Sequence, residues 1–118
     1  MLYINAIKKL VERIPGALGC IIVDDSGEEI VVYSKDDEYQ MKLLGAHMVP
    51  IYKRLDAISQ RVDSGDYSEI LVRTDNFYII TSAIEKETYL ILKLLPTPAI
   101  SPSILNIKET IRDIVEEG

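Results

Sequence analysis

A chain of 118 residues, 47% of them hydrophobic, carries enough apolar material for one real core and too little length for two, so a single domain over 1–118 is expected. A formal charge of -6 and a sequence pI near 4.7 argue against nucleic acid as a partner, because phosphate-backbone binders gather Lys and Arg on one face. The single cysteine, Cys20, allows no internal disulfide framework and no cysteine-rich zinc site, and fits a reducing compartment such as the cytoplasm.

With Tyr 7, Phe 1 and Trp 0, the core must be built mainly from Ile, Leu and Val. Met1-Leu2-Tyr3-Ile4-Asn5 leads into a charged amphipathic segment, not the apolar stretch of a secretory signal. Apolar runs such as residues 18–23 and 89–92 fall far short of the roughly 18 to 20 residues needed to cross a bilayer, so no membrane insertion is expected.

Ile4, Ile7, Val11 and Ile14 recur at helical spacing beside Leu10, with Lys8, Lys9, Glu12 and Arg13 opposite, which predicts an amphipathic first helix. Pro15-Gly16 stops it. Residues 17–24 then read as a strand whose two alternating faces are both apolar, which suits a central position covered on both sides. Asp24-Asp25-Ser26-Gly27 is a hairpin turn, and residues 28–34 return as a second strand.

The longest periodic segment, residues 37–62, places Met41, Leu44, Met48, Ile51, Leu55, Ile58 and Val62 at alternating spacings of three and four, and this stripe is expected to face the core. Pro50 should kink the helix without ending it, because the apolar phase continues beyond it. Asp63-Ser64-Gly65-Asp66 closes the helix. Three β-type runs follow, 67–74, 77–84 and 88–95, joined by connections short enough only for hairpins. After Pro96-Thr97-Pro98, Ser101-Pro102 supplies an N-cap and a first-turn proline for a last helix striped by Ile104, Ile107, Ile111 and Ile114. The expected order is α-β-β-α-β-β-β-α: an α/β (α+β) five-stranded antiparallel sheet with helices on both faces.

Residues that could carry chemistry are few. Gly16-Ala17-Leu18-Gly19 lacks the spacing and the Lys-Ser/Thr of a phosphate loop, and no dinucleotide glycine triad occurs, so no cofactor is expected. Cys20 sits mid-strand and reads as a buried small hydrophobe. His47 is the only histidine, so no imidazole pair can hold a metal; it reads as solvent-side or partner-facing. The acidic clusters Asp24-Asp25, Glu28-Glu29 and Asp36-Asp37-Glu38 lie at turns or element ends, where charge is ordinarily solvated. No nucleophile, base and orienting group can be assembled, which predicts a protein that is not an enzyme.

The long helix is more informative. A second apolar stripe runs through Tyr39, Leu43, Ala46, Pro50 and Ala57, away from the expected core stripe, and Lys42, Lys53, Arg54 and Arg61 border it with only Asp56 opposing. A basic, partly apolar island on an acidic chain predicts a docking surface, to which His47 also belongs. The alternative is an ordinary solvated face carrying small residues.

Three stretches carry a family resemblance over essentially the whole chain. They are Ile14-Pro15-Gly16-Ala17-Leu18-Gly19-Cys20-Ile21-Ile22-Val23-Asp24-Asp25-Ser26-Gly27, Ile70-Leu71-Val72-Arg73-Thr74-Asp75-Asn76-Phe77-Tyr78-Ile79-Ile80, and Tyr89-Leu90-Ile91-Leu92-Lys93-Leu94. Together they resemble the Roadblock/dynein light-chain family, a profilin-like fold with the long helix on one sheet face and the terminal helices on the other. The resemblance implies a non-enzymatic homodimer with a continuous sheet, acting as regulator or scaffold of a Ras-like small GTPase and able in some relatives to stimulate GTP hydrolysis. It implies dimer contacts at Val49 and Tyr52 of the helix and at Ile70, Leu71, Val72, Arg73 and Thr74 of an edge strand. Partner contacts would fall on the face carrying Tyr39, Lys42, Leu43, Ala46, His47, Pro50, Lys53, Arg54, Ala57 and Arg61. Helix arginines such as Arg54 and Arg61 reach poorly into a nucleotide site, so an indirect effect on the GTPase switch loops is expected. The alternative is a profilin-like small-molecule sensor that signals through its dimer.

Overall fold

The computed structural model describes residues 2–63, 65, 68–98 and 100–117, with Leu2 and Glu117 in backbone only. The elements are α1 (Leu2–Arg13), β1 (Ala17–Asp24), β2 (Glu29–Ser34), α2 (Glu38–Arg61), β3 (Ile70–Arg73), β4 (Tyr78–Glu85), β5 (Thr88–Leu94) and α3 (Ile100–Glu117). They form one antiparallel sheet in the order β2-β1-β5-β4-β3, with β2 and β3 at its edges.

Local chemistry fixes the connections. At the β1–β2 turn, Asp24 Oδ1 accepts from the backbone N–H of Ser26 at 2.9 Å and of Glu28 at 3.0 Å, an Asx turn. Asp37 caps α2 by accepting from the N–H of Tyr39 at 2.9 Å. The helix runs on through Pro50 to its cap at Val62.

Some boundaries shift. The third strand begins at Ile70 and ends at Arg73; Ser64, Asp66 and Tyr67 lie outside the described residues. Thr74 belongs to the β3–β4 turn, where its hydroxyl donates to the Phe77 carbonyl at 2.6 Å and accepts from the Phe77 N–H at 3.1 Å. Helix α3 starts at Ile100, so Ser101 sits inside its first turn with Pro102 and is not the cap.

Strand β1 is central, pairing with β2 on one side and β5 on the other, with Ile21 opposite both Val32 and Ile91. The two sheet faces have separate cores. On one, Cys20, Ile22, Ile80, Leu90, Leu92 and Leu94 pack beneath Ile7, Leu10 and Val11 of α1 and Ile107 and Ile114 of α3. On the other, Ile21, Val23, Ile79, Tyr89 and Ile91 meet Met41, Met48, Val49 and Tyr52 of α2. Both-sided burial is why β1 and β5 read as unbroken apolar runs.

Helix α2 sits on the sheet in a different rotation from the one its periodicity suggests. Met41 and Met48 are buried, with Gly45, Val49, Tyr52 and Ser59. Ile51, Leu55, Ile58 and Val62, expected in the core, are exposed. The cause is close approach over β1: a Cβ on Gly45 would stand 2.7 Å from Val23 Cγ1, so only glycine allows the helix this near. At the hairpin, Gly27 has φ +82, and a Cβ there would lie 3.0 Å from the Ala46 Cα.

Candidate protein-protein interface

Three strips of α2 face away from the core. The strip towards the β1–β2 hairpin is held down by ion pairs, Lys42 Nζ to Glu29 Oε1 at 3.2 Å and Lys53 Nζ to Asp25 Oδ1 at 2.9 Å, with Lys53 also donating to the Asp25 carbonyl at 3.3 Å. The Asp25 contact raises the Lys53 pKa above the ordinary lysine value. Half of the basic border thus clamps the turn onto the helix, and Ala46 rides directly over Gly27.

The outermost strip carries Tyr39, Leu43, Pro50, Ala57, Arg54 and Arg61, all exposed. Among the described residues, neither Arg54 nor Arg61 forms an ion pair. Apolar side chains beside unpaired guanidinium groups form a surface ready for an acidic, partly apolar partner.

The third strip looks towards the β3 edge. It begins with Gln40, Leu44 and His47 and continues through Ile51, Leu55, Ile58 and Val62, with Val62 66% exposed. At its start, Gln40, Leu43, Leu44 and His47 meet Phe77 and Lys93 around an open cleft of about 330 Å³. Lys93 is only 3% exposed. Its Nζ donates to Asp36 Oδ2 at 3.1 Å and to Gln40 Oε1 at 3.4 Å, and lies 4.8 Å from the centroid of the Phe77 ring. Asp36 also accepts from the Ser34 hydroxyl at 2.7 Å and the Asp37 N–H at 2.7 Å. The Ser34 hydrogen bond, with the Lys93 and Asp37 contacts, holds the Asp36 carboxyl below the usual carboxylate range despite partial burial.

The structure redistributes the residues expected at a dimer contact. Val49 and Tyr52 are largely buried within the monomer, at 2% and 8% exposure. Tyr52 stacks edge-on against Tyr89 at 5.2 Å, and burial raises the pKa of both phenols. On β3, Ile70 and Val72 share the α2 side of the sheet, whereas Leu71 packs towards α1 and α3. Arg73 stacks over Tyr78 at 5.5 Å. Among the described residues, the outward edge of β3 has no neighbouring strand.

Sequence reasoning missed the cleft group of Lys93, Phe77 and Gln40 and the exposure of the stripe from Ile51 to Val62. One signal pointed to Lys93: strand alternation puts it on the same face as Ile91, a charge on a buried face. Cys20 is fully buried, and desolvation pushes its thiol far above the range in which thiolates form. Among the described residues, no group of three or more His, Cys, Asp or Glu could hold a metal, and no helix is long and apolar enough to cross a membrane.

A continuous five-stranded sheet, a long helix on one face and two terminal helices on the other define an architecture that comparison with known proteins recovers. The model of the Roadblock/LC7 domain matches residues 3–93, and the chain belongs to that family. A Roadblock/LC7 domain from Streptomyces avermitilis superposes with a TM-score of 0.85 at 16% identity, over 95% of this chain and 93% of that one. MglB from Myxococcus xanthus gives 0.84 at 10% identity, covering 95% and 90%. MglC from the same organism gives 0.69 at 18% identity and covers all of both chains. At these identities the likeness is one of fold. No curated protein sequence matches the chain.

Proposed function

We propose that the chain is a non-enzymatic, homodimeric regulator or scaffold of a Ras-like small GTPase, working in the cytoplasm. One observation carries this reading: α2 turns only one strip to its own sheet and leaves an apolar-basic ridge and an apolar flank uncovered. A monomer has no use for both. The flank and the β3 edge serve self-association, which extends the sheet across a two-fold axis. The ridge of Tyr39, Leu43, Pro50, Ala57, Arg54 and Arg61 takes the GTPase.

Of the positions expected to bind the partner, Lys42, Lys53 and Ala46 are occupied by the hairpin, so they shape the ridge and do not contact the partner through free charge. His47 lies on the flank. Stimulation of GTP hydrolysis, where it occurs, acts through the switch loops of the bound GTPase, since Arg54 and Arg61 sit mid-helix. A structure titled "MglB with tetrameric arrangement" superposes with a TM-score of 0.84 at 9% identity, and supports assembly as a property worth testing in this chain.

The decisive experiment captures GTPases from the source organism on immobilised protein, in GDP and in a GTP analogue, with Leu43→Asp and Arg54→Glu as controls. Capture by the native chain and loss of it with folded variants supports the reading. No GTPase bound in either nucleotide state sinks it. The sensor alternative has one feature in its favour, the mixed lining of the cleft beside Phe77.

A further inference from the structure

We propose that the cleft beside Phe77 binds a small carboxylic acid with an aromatic or branched aliphatic body. The inference goes beyond the GTPase reading and does not rest on it.

The walls favour a compact hydrocarbon. Gln40, Leu43, Leu44 and His47 follow one another at helical spacing, so they stand on one side of α2. Phe77, just ahead of β4, and Lys93, near the end of β5, complete the cleft. The backbone of Phe77 is fixed by Thr74, whose hydroxyl bonds both its carbonyl and its N–H, and whose own N–H donates to the same carbonyl at 3.0 Å. Leu43, Leu44 and the Phe77 ring thus form a preset apolar wall. At about 330 Å³ the cleft falls at the lower end of small-molecule sites, about 300–1,000 Å³.

The hydrogen-bonding groups decide the head of the ligand. An ammonium group can only donate, so the Gln40 atom that meets Lys93 Nζ at 3.4 Å is the amide oxygen, and Gln40 Nε2 keeps both its hydrogens for another acceptor. Among the described residues, neither Gln40 Nε2 nor His47 has a hydrogen-bond partner. An imidazole carries at least one N–H in every protonation state. Both side chains therefore offer donors to a ligand.

Charge points the same way. Lys93 contributes an ammonium to the lining, whereas its counter-ion Asp36 is not among the residues around the cleft. Asp36 is itself held by the Ser34 hydroxyl and the Asp37 N–H, so the floor needs no rearrangement to receive a ligand. A carboxylate is acceptor-only, and its bonds to these N–H groups are charge-assisted. A cationic head would set N–H against N–H beside the Lys93 ammonium. The apolar body leaves water for the wall of Leu43, Leu44 and Phe77.

The test titrates the isotope-labelled native chain with phenylacetate and, separately, with benzylamine, while amide resonances are recorded. The two probes carry the same ring and opposite heads. Phenylacetate should shift the resonances of residues 40–47, Phe77 and Lys93 with a dissociation constant of about 1 mM, and benzylamine should leave them in place. Gln40→Glu keeps an oxygen for Lys93 and removes the N–H donors, so it should weaken phenylacetate by at least about tenfold while the rest of the spectrum stays native. The native chain is titrated in whatever assembly it adopts, so a cleft closed by a second copy gives no shifts and overturns the proposal. Benzylamine binding as well as phenylacetate, or phenylacetate binding equally to Gln40→Glu, overturns it too. The capture of GTPases is a separate readout, so either reading can fail while the other stands.

Discussion

The two faces of the sheet are built from similar aliphatic residues and do different things. On the face covered by α1 and α3, two helices share the work, and Ile7, Leu10, Val11, Ile107 and Ile114 close over β1, β4 and β5. On the other, α2 alone covers the sheet, rotated to bring Gly45 onto Val23, and its remaining apolar residues stay outside. A hydrophobic stripe stabilises the monomer only where a layer exists to receive it. Elsewhere it stays exposed, as an apolar patch of the kind that marks interaction sites.

Mutations on the closed face should give the largest losses of stability. Leu92→Ala and Ile107→Ala each delete a fully buried aliphatic side chain, and chemical denaturation should show about 2–5 kcal/mol lost. Ile51→Ala, a similar truncation on the open face, should change monomer stability by no more than about 0.5 kcal/mol while weakening self-association. Equal effects at Ile51 and Ile107 would erase the distinction between the faces.

Next in size is Gly45→Ala. The new methyl group meets Val23, so the helix must lift from β1, at a cost of about 1–3 kcal/mol. Because the hairpin clamp is disturbed with it, the exchange of β1–β2 backbone amides should quicken, which hydrogen exchange can read.

The Lys93–Asp36 pair should respond asymmetrically. Asp36→Ala leaves a buried ammonium without its carboxylate and should cost about 2–3 kcal/mol. Lys93→Met leaves an Asp36 that water can reach, and costs less. The pair also adds to a pH dependence whose largest source is the Ser34 hydrogen bond to Asp36. Asp36 has a folded pKa below its unfolded value, so its contribution is fully present above the ordinary carboxylate range and is lost as pH falls through the folded value. Native stability should therefore decline below about pH 4 more steeply than that of Lys93→Met. Parallel acid profiles for the two would show that Asp36 contributes nothing through Lys93.

The smallest effect belongs to the clamp. The Lys42–Glu29 bridge is about half exposed on the lysine side, so Lys42→Ala should cost under about 1 kcal/mol, and less at high salt.

Much of this was readable in the residues. Period-two and helical patterns identify every element, the Asp24-Asp25-Ser26-Gly27 turn fixes the first hairpin, and short connections force the meander. The edge position of β3 and the division of helices between faces came from family likeness and agree with the structure. The exposed outer strip of α2 was legible in part, through Leu43, Pro50 and Ala57. The roles of Lys42 and Lys53 were not, because their carboxylate partners lie on a hairpin remote in sequence.

What the sequence determined by itself is the set of elements and their order, since backbone hydrogen bonding and the alternation of apolar residues are local properties. It could not fix the rotation of α2: periodicity puts the stripe from Met41 to Val62 on the core, whereas the packed face is Met41, Gly45, Met48, Val49, Tyr52 and Ser59. Met41 and Met48 fit both, and periodicity weighs Ile51 and Leu55 above Gly45 and Ser59. Only packing resolves the choice, because a helix over β1 takes the rotation that allows the closest approach, and that rotation depends on the absence of a Cβ at Gly45. The long-range bonds of Lys53 to Asp25 and Lys93 to Asp36 hold it there.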